Sequence, residues 1–282
     1  MLFEKTAILG VGLLGASMAL AMKKKGISLT ISGSGRTEEN LRGALEKGII
    51  DSYSLDPREA VRGADLVVLA TPVGAFLETA RAIKDSLAKD SIQTDVGSVK
   101  GALVHELESV LPRFVGAHPI SGGERSGADN ANEGLFDGVR CIITGTDRTE
   151  PRALARIEEL WRAMGSNVER MDPDLHDRIY ALVSHLPHIL AYSLVNTLDT
   201  TDSQCIRFAG QGFKDTTRIA LSSPELWRDV CGLNRQNLLD SIKAFKRELE
   251  RAEALINDSD LDGLEAEFTR ARVLRKRIDQ KD

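Results

Sequence analysis

His118 lies in Gly116-Ala117-His118-Pro119-Ile120-Ser121-Gly122-Gly123-Glu124, after an apolar run and before a stiffened turn. A neutral imidazole with an ordinary pKa of ~6.5 can accept a proton near neutral pH. Ser98 lies in Thr94-Asp95-Val96-Gly97-Ser98-Val99-Lys100, a second strand end passing into a helix. It suits a hydroxyl beside a reacting group and equally a helix N-cap. Ser184 and His188, four apart in Ser184-His185-Leu186-Pro187-His188, share one helix face. Pro187 removes a backbone donor, which predicts a kink and a freed Val183 carbonyl. His185 and His188 have the spacing of a metal pair, but no third ligand matches and no metal is expected. Arg218 ends Gly210-Gln211-Gly212-Phe213-Lys214-Asp215-Thr216-Thr217-Arg218, with Trp227 nine residues on. A guanidinium there suits carboxylate capture, and a surface pair with Asp215 is the competing role.

The chain opens with a different kind of chemistry. Thr6-Ala7-Ile8-Leu9 enters Gly10-Val11-Gly12-Leu13-Leu14-Gly15, and a helix-like stretch follows. This is the G-x-G-x-x-G turn that binds a dinucleotide pyrophosphate. Gly10 permits the tight turn, Gly12 the approach of a phosphate, and Gly15 close helix–strand packing. Leu13 and Leu14 start the helix whose free N–H groups face the phosphates. Thr71 and Pro72, after the apolar run Leu66–Ala70, are further cofactor candidates. An acidic residue ~20 positions beyond the turn usually holds the adenosine ribose. Here that place falls on Gly35, with Ser34, Arg36 and Thr37 around it. A missing carboxylate and a nearby guanidinium favour a 2′-phosphate, so NADP is expected in preference to NAD.

These residues need a scaffold. To about residue 172, short apolar runs (Thr6–Leu9, Leu29–Ser32, Leu66–Ala70, Ser91–Asp95, Phe114–Ala117, Cys141–Thr144, Asn167–Met171) alternate with helix-like stretches (Glu38–Lys47, Val73–Leu87, Val99–Val110, Pro151–Met164). That alternation predicts an α/β domain with a doubly wound, mostly parallel sheet. Strand signals then stop. Asp174–Asp199, Ser203–Leu221, Pro224–Ile256 and Leu261–Ile278 read as helices, with Asn257-Asp258-Ser259-Asp260 supplying an N-cap to the last. The expected division is 1–172, dinucleotide-binding, and 173–282, all-helical, pairing two copies through its amphipathic faces.

Composition excludes other classes. The chain has 282 residues and a formal net charge of -5, which gives no electrostatic case for nucleic acid. No run of ~18 uncharged apolar residues points to a membrane span. Glycines within the first apolar run and Lys23-Lys24-Lys25 after it argue against a secretory leader. Cys141, Cys205 and Cys231, far apart and odd in number, suit a reducing cytoplasm as small buried hydrophobes.

GLLGAS, DVGSVKG, GAHPISG, SHLPH and FKDTTRIA with its later Trp together resemble the prephenate/arogenate dehydrogenases of tyrosine synthesis, over nearly the whole chain. The resemblance implies a Rossmann-type domain followed by a helical dimerisation domain, a nicotinamide cofactor, and oxidative decarboxylation of prephenate or arogenate. It makes His118 the catalytic histidine and Ser98 its neighbour at the ring hydroxyl. Ser184 and His188 help bind substrate, Arg218 holds a substrate carboxylate, and Trp227 lines the pocket. Gly123 departs from a frequent Thr, and Gly35 from the Asp of NAD-using members. No fused mutase or regulatory domain is expected after the helices. Two rivals carry other expectations: a β-hydroxyacid dehydrogenase would use a Lys, with Lys214 the nearest, and a non-catalytic NADP-binding protein would leave His118, Ser98 and Arg218 without a shared cleft.

Overall fold

The computed structural model describes residues 1–121, 127–201 and 203–278. Gly122 to Glu124, and with them the Gly123 departure, lie outside the described residues. Two compact units emerge, Met1–Arg235 and Gln236–Asp282.

The first unit is built on one eight-stranded sheet, ordered β3-β2-β1-β4-β5-β6-β7-β8. Its strands are β1 (Phe3–Leu9), β2 (Ser28–Ser34), β3 (Ser52–Ser54), β4 (Leu66–Leu69), β5 (Ile92–Asp95), β6 (Phe114–Pro119), β7 (Arg140–Thr144) and β8 (Asn167–Met171). All seven expected strands form, most of them longer by one to three residues. β3, a three-residue polar edge strand, has no apolar run to announce it. Strands β1 to β6 run parallel, β7 runs antiparallel to β6, and β8 runs parallel to β7.

Period-two alternation divides the strands between two cores. Ile8, Leu66 and Val68 face one side, with Met18 and Met22 of α1 (Leu13–Lys24), Leu41 of α2 (Glu38–Glu46) and Trp161 of α6 (Pro151–Ala163). Ala7, Leu9, Val67 and Leu69 face the other. There they meet Ala60 of α3 (Pro57–Ala60), Phe76 and Ile83 of α4 (Phe76–Ile83), Leu107 of α5 (Gly101–Val110), and Trp227 and Val230. The expected helix Val73–Leu87 is α4 flanked by two short 3-10 turns.

After β8 come α7 (Pro173–Tyr180), a π turn (Ala181–His185), α8 (Leu186–Thr201), α9 (Gln211–Thr217) and α10 (Pro224–Leu233). The Asp172 carboxylate caps α7 through Asp174 N and Leu175 N, and Pro173 takes the first helical position. Pro187 cannot donate to the Val183 carbonyl, and the turn before it is wound as a π-helix. The second unit holds most of α11 (Arg235–Asn257) and all of α12 (Leu261–Ile278). As expected, Asp260 caps α12, accepting from Gly263 N at 2.9 Å. Cys141 is buried and Cys231 half-buried, but Cys205 is exposed, contrary to its expected place as a small buried hydrophobe.

Candidate active site

The carboxyl ends of β1, β4, β5 and β6 share one edge, and the glycine turn lies on it. Gly10 has φ +106°, and a Cβ there would collide with the Ala70 carbonyl and Thr71 N. A Cβ on Gly15 would strike the Gly10 carbonyl and the Ile8 side chain. At Gly12 a Cβ would meet nothing within 4 Å, so open space lies before the N-terminus of α1. The turn is held by Gly10 N donating to Ser34 O at 2.8 Å and Asn40 Nδ2 donating to Val11 O at 3.0 Å. Thr71 Oγ1, beside Gly10, is buried and has no hydrogen-bond partner among the described residues. An open glycine cradle, bare helix N–H groups and a waiting hydroxyl fit a dinucleotide pyrophosphate. Leu13 and Leu14 begin α1, half-buried, and Pro72 follows Thr71. Ser34 is buried, whereas Arg36 and Thr37 are exposed on the turn after β2, with Arg36 Nη1 4.0 Å from Glu225 Oε1.

Asp95 ends β5, fully buried, and fixes the next loop. Its Oδ2 accepts from Gly97 N at 2.8 Å and from Lys100 Nζ, and its Oδ1 accepts from Ala117 N at 2.9 Å. Burial pushes the Asp95 carboxyl up, and Lys100 opposes that push. Lys100 N donates to Asp177 Oδ1 at 2.7 Å. The residue before α5 is therefore Lys100, served by a distant carboxylate. Ser98 sits two residues earlier and does not cap α5.

His118 lies near the end of β6 and keeps 8% exposure, whereas His176 and His185 have 0%. Its Nδ1 is 2.8 Å from His176 Nε2, and His176 Nδ1 is 2.8 Å from Asp177 Oδ1. Tyr180 closes the group, stacked on His176 at 4.4 Å and tilted against His118 at 5.0 Å. Burial, then His176, Lys100 and His185, holds the His118 pKa well below the ordinary imidazole value. His118 is neutral at neutral pH, as a proton acceptor must be.

A second aromatic group adjoins it. Burial pushes His185 down to about 4, against the pull of Asp177 and the Ser98 carbonyl. Asn234 Nδ2 donates to His185 Nδ1 at 3.1 Å and to the Asp177 carbonyl at 2.8 Å. Trp227 stands edge-on to His185 at 5.9 Å and stacks on His188 at 3.6 Å. His188 Nδ1 donates to the Ser184 carbonyl at 3.0 Å, one helical turn back along the same face. Burial lowers the His188 pKa, and the positive charge of Arg218 lowers it further. His185, Trp227 and His188 thus form one aromatic series, with the Ser98 carbonyl against His185, Ser184 bonded to His188 through its carbonyl, and Arg218 close enough to His188 to act on its charge. Arg218 is exposed at its far end. Asp215, its competing partner, accepts from Gln211 Nε2 at 2.7 Å. The sequence alone did not mark Asp95, Lys100, His176, Asp177, Tyr180 and Asn234, and it weighed His185 only as half of a metal-spaced pair. Asp95 and Lys100 lie in the same strand-to-helix segment as Ser98, and the adjacent His176-Asp177 just after a capped helix start was the signal available for that pair.

Residues 18–170 match the family model for the nucleotide-binding domain of prephenate dehydrogenase, and residues 172–270 match that for its dimerization domain. The chain belongs to the prephenate dehydrogenase family. Among its relatives, prephenate dehydrogenase of Bacillus subtilis is 34% identical over 94% of this chain and 74% of that protein. Cyclohexadienyl dehydrogenase of Zymomonas mobilis is 34% identical over 97% and 95%. The structure of prephenate dehydrogenase from A. aeolicus, in complex with hydroxyphenyl propionate and NAD+, superposes with a TM-score of 0.93 at 36% identity, covering 98% of both chains. The two-part pattern of a mostly parallel sheet followed by helices is the architecture of this family of oxidoreductases.

Proposed function

We propose that the protein is a prephenate dehydrogenase, converting prephenate to 4-hydroxyphenylpyruvate by oxidative decarboxylation. The observation that carries this is a neutral, almost buried His118 on the sheet edge that also bears the open glycine cradle. A bound nicotinamide dinucleotide supplies the hydride acceptor. Gly10, Gly12, Gly15 and the start of α1 hold its pyrophosphate, with Thr71 and Pro72 beside it. His118 takes the proton of the ring hydroxyl, with Ser98 positioned next to that oxygen. Loss of carbon dioxide leaves the ring aromatic, which drives the reaction. Arg218 pairs with a substrate carboxylate, and Ser184, His188 and Trp227 form the wall against which the substrate lies.

NADP is the preferred cofactor on this reading. Gly35 presents no carboxylate to a 2′-phosphate, and Arg36 reaches into solvent beside it with an exposed guanidinium. The functional division at residues 172 and 173 follows the two roles, and the protein works as a cytoplasmic homodimer. Large apolar side chains exposed on α11 and α12, among them Leu249, Ile256 and Phe268, support pairing through these helices.

An activity matrix tests this reading: prephenate and arogenate, each with NAD and with NADP. The expected result is prephenate turnover with a higher kcat/KM for NADP. No turnover of prephenate sinks the substrate assignment, and a clear preference for NAD sinks the cofactor assignment.

A further inference from the structure

His118, His176 and Asp177 form a bonded line whose proton positions follow from chemistry. The Asp177 carboxylate can only accept, and its Oδ1 already accepts from Lys100 N at 2.7 Å. The 2.8 Å contact with His176 Nδ1 is therefore an N–H of His176 donating to Asp177. The Nε2 of a neutral His176 then carries a lone pair. The 2.8 Å contact beyond it must be His118 Nδ1–H donating to His176 Nε2. That leaves His118 Nε2 bare.

We propose that Asp177, acting through His176, holds His118 in the Nδ1–H tautomer, so that Nε2 is the nitrogen that takes the substrate proton. The inference rests on the prephenate reading above and extends it to two positioning residues. As the hydroxyl O–H bond breaks, the Nε2–H bond forms. The imidazole pair then carries one positive charge, faced by Asp177, until the proton passes to water.

The surroundings keep the line in place. Asn234 Nδ2 fixes the Asp177 main chain. Gly101 makes room for the carboxylate, since a Cβ there would lie 2.5 Å from Asp177 Oδ2. Tyr180 packs against both rings. Other titratable groups face the pair: Lys100 before α5, Asp95 at the end of β5, His185 in the π turn, Tyr180 on α7 and Cys141 on β7. Lys100 is ion-paired with Asp95. His185 is uncharged above its pKa of about 4. Asp177 is thus the carboxylate that answers charge on the imidazoles.

The test begins with the wild-type protein, whose histidine ring nitrogens are read by 15N–1H correlation spectroscopy. His118 protonated at Nδ1 is the expected result, and His118 protonated at Nε2 overturns the proposal. Kinetics then follow for Asp177→Asn, His176→Gln and His176→Leu. For Asp177→Asn, kcat falls on the order of 10–100-fold while KM stays within about twofold. The acid limb of its kcat/KM profile moves to lower pH, because the charge favouring the imidazolium is gone. The Gln oxygen can accept from His118 Nδ1, so His176→Gln retains more kcat than His176→Leu. An unmoved acid limb in an Asp177→Asn protein that still binds dinucleotide overturns the proposal. Should that variant fail to fold, the wild-type ring spectrum decides alone. Failure of the prephenate reading shows separately, as wild-type protein without prephenate turnover.

Discussion

Two pairs of histidines stand side by side in this molecule and differ in what they are tied to. His118 and His176 are joined to each other and to a carboxylate, each link at 2.8 Å. His185 and His188 flank Trp227, and the Nδ1 of each is served, by an amide and a main-chain carbonyl respectively. Burial lowers the pKa of all four. A carboxylate in line lets the first pair take up a proton transiently. No carboxylate is bonded to the second pair, which packs edge-on and face-on against Trp227 instead. A pKa lowered by burial therefore does not fix the chemistry, because the partner beyond the ring decides what a proton does there.

The comparison breaks most sharply at His118. His118→Ala should lower kcat by roughly 10²–10⁴ with KM little changed. Steady-state kinetics with prephenate measures this, and turnover within about threefold of wild type removes His118 as the base. Lys100→Met tests the support of the same pair. Lys100 and Asp95 are each 1% exposed in their side chains. Removing one partner leaves a buried charge, so a loss of about 3–5 kcal/mol in unfolding free energy is expected from urea titration. A loss below about 1 kcal/mol means that Asp95 is satisfied by its two main-chain donors alone.

The two pairs also differ in how far they could be seen in the sequence. His118 was visible because it ends an apolar run in a parallel-sheet pattern, where ligands bind. The glycine turn was legible because backbone sterics alone require Gly10 and Gly15. His176 and Asp177 lie 58 and 59 residues beyond His118 in a capped first turn, and nothing local marks them as its partners. Lys100 was hidden by the opposite effect: a lysine after a strand end reads as solvated, and only the meeting of β5, β6 and α7 buries it. Ser98 was open to being read as a cap because the competing donor, Lys100 N, is claimed by a carboxylate that becomes adjacent only on folding. Pro187 pointed to a kink, and the adjustment is a π turn, since neighbouring packing chooses among the ways of absorbing a missing N–H.

Acid sharpens the contrast from the side of the wall. His185 has a folded pKa of about 4 against an ordinary 6.5. The unfolded chain therefore binds the extra proton first, and stability falls as pH drops from about 6.5 towards 4, by up to about 3 kcal/mol. Below the folded value no further loss comes from this group. His185→Gln should flatten the unfolding free energy across that window, and an unchanged slope assigns the acid sensitivity to other groups.

The smallest expected effect concerns Trp227. Its Nε1 is buried without a hydrogen-bond partner among the described residues, while its ring stacks on His188. A buried orphan donor costs stability unless something comes to accept from it. Trp227→Phe keeps an aromatic face for the stack and removes the donor. If a substrate oxygen is that acceptor, KM should rise about 3–10-fold, matching one hydrogen bond of about 0.5–1.5 kcal/mol, with kcat nearly constant. The melting temperature of the free protein is the same on either reading, because the donor has no partner there, so KM alone decides. An unchanged KM assigns the donor to unrelieved burial and confines the wall to stacking.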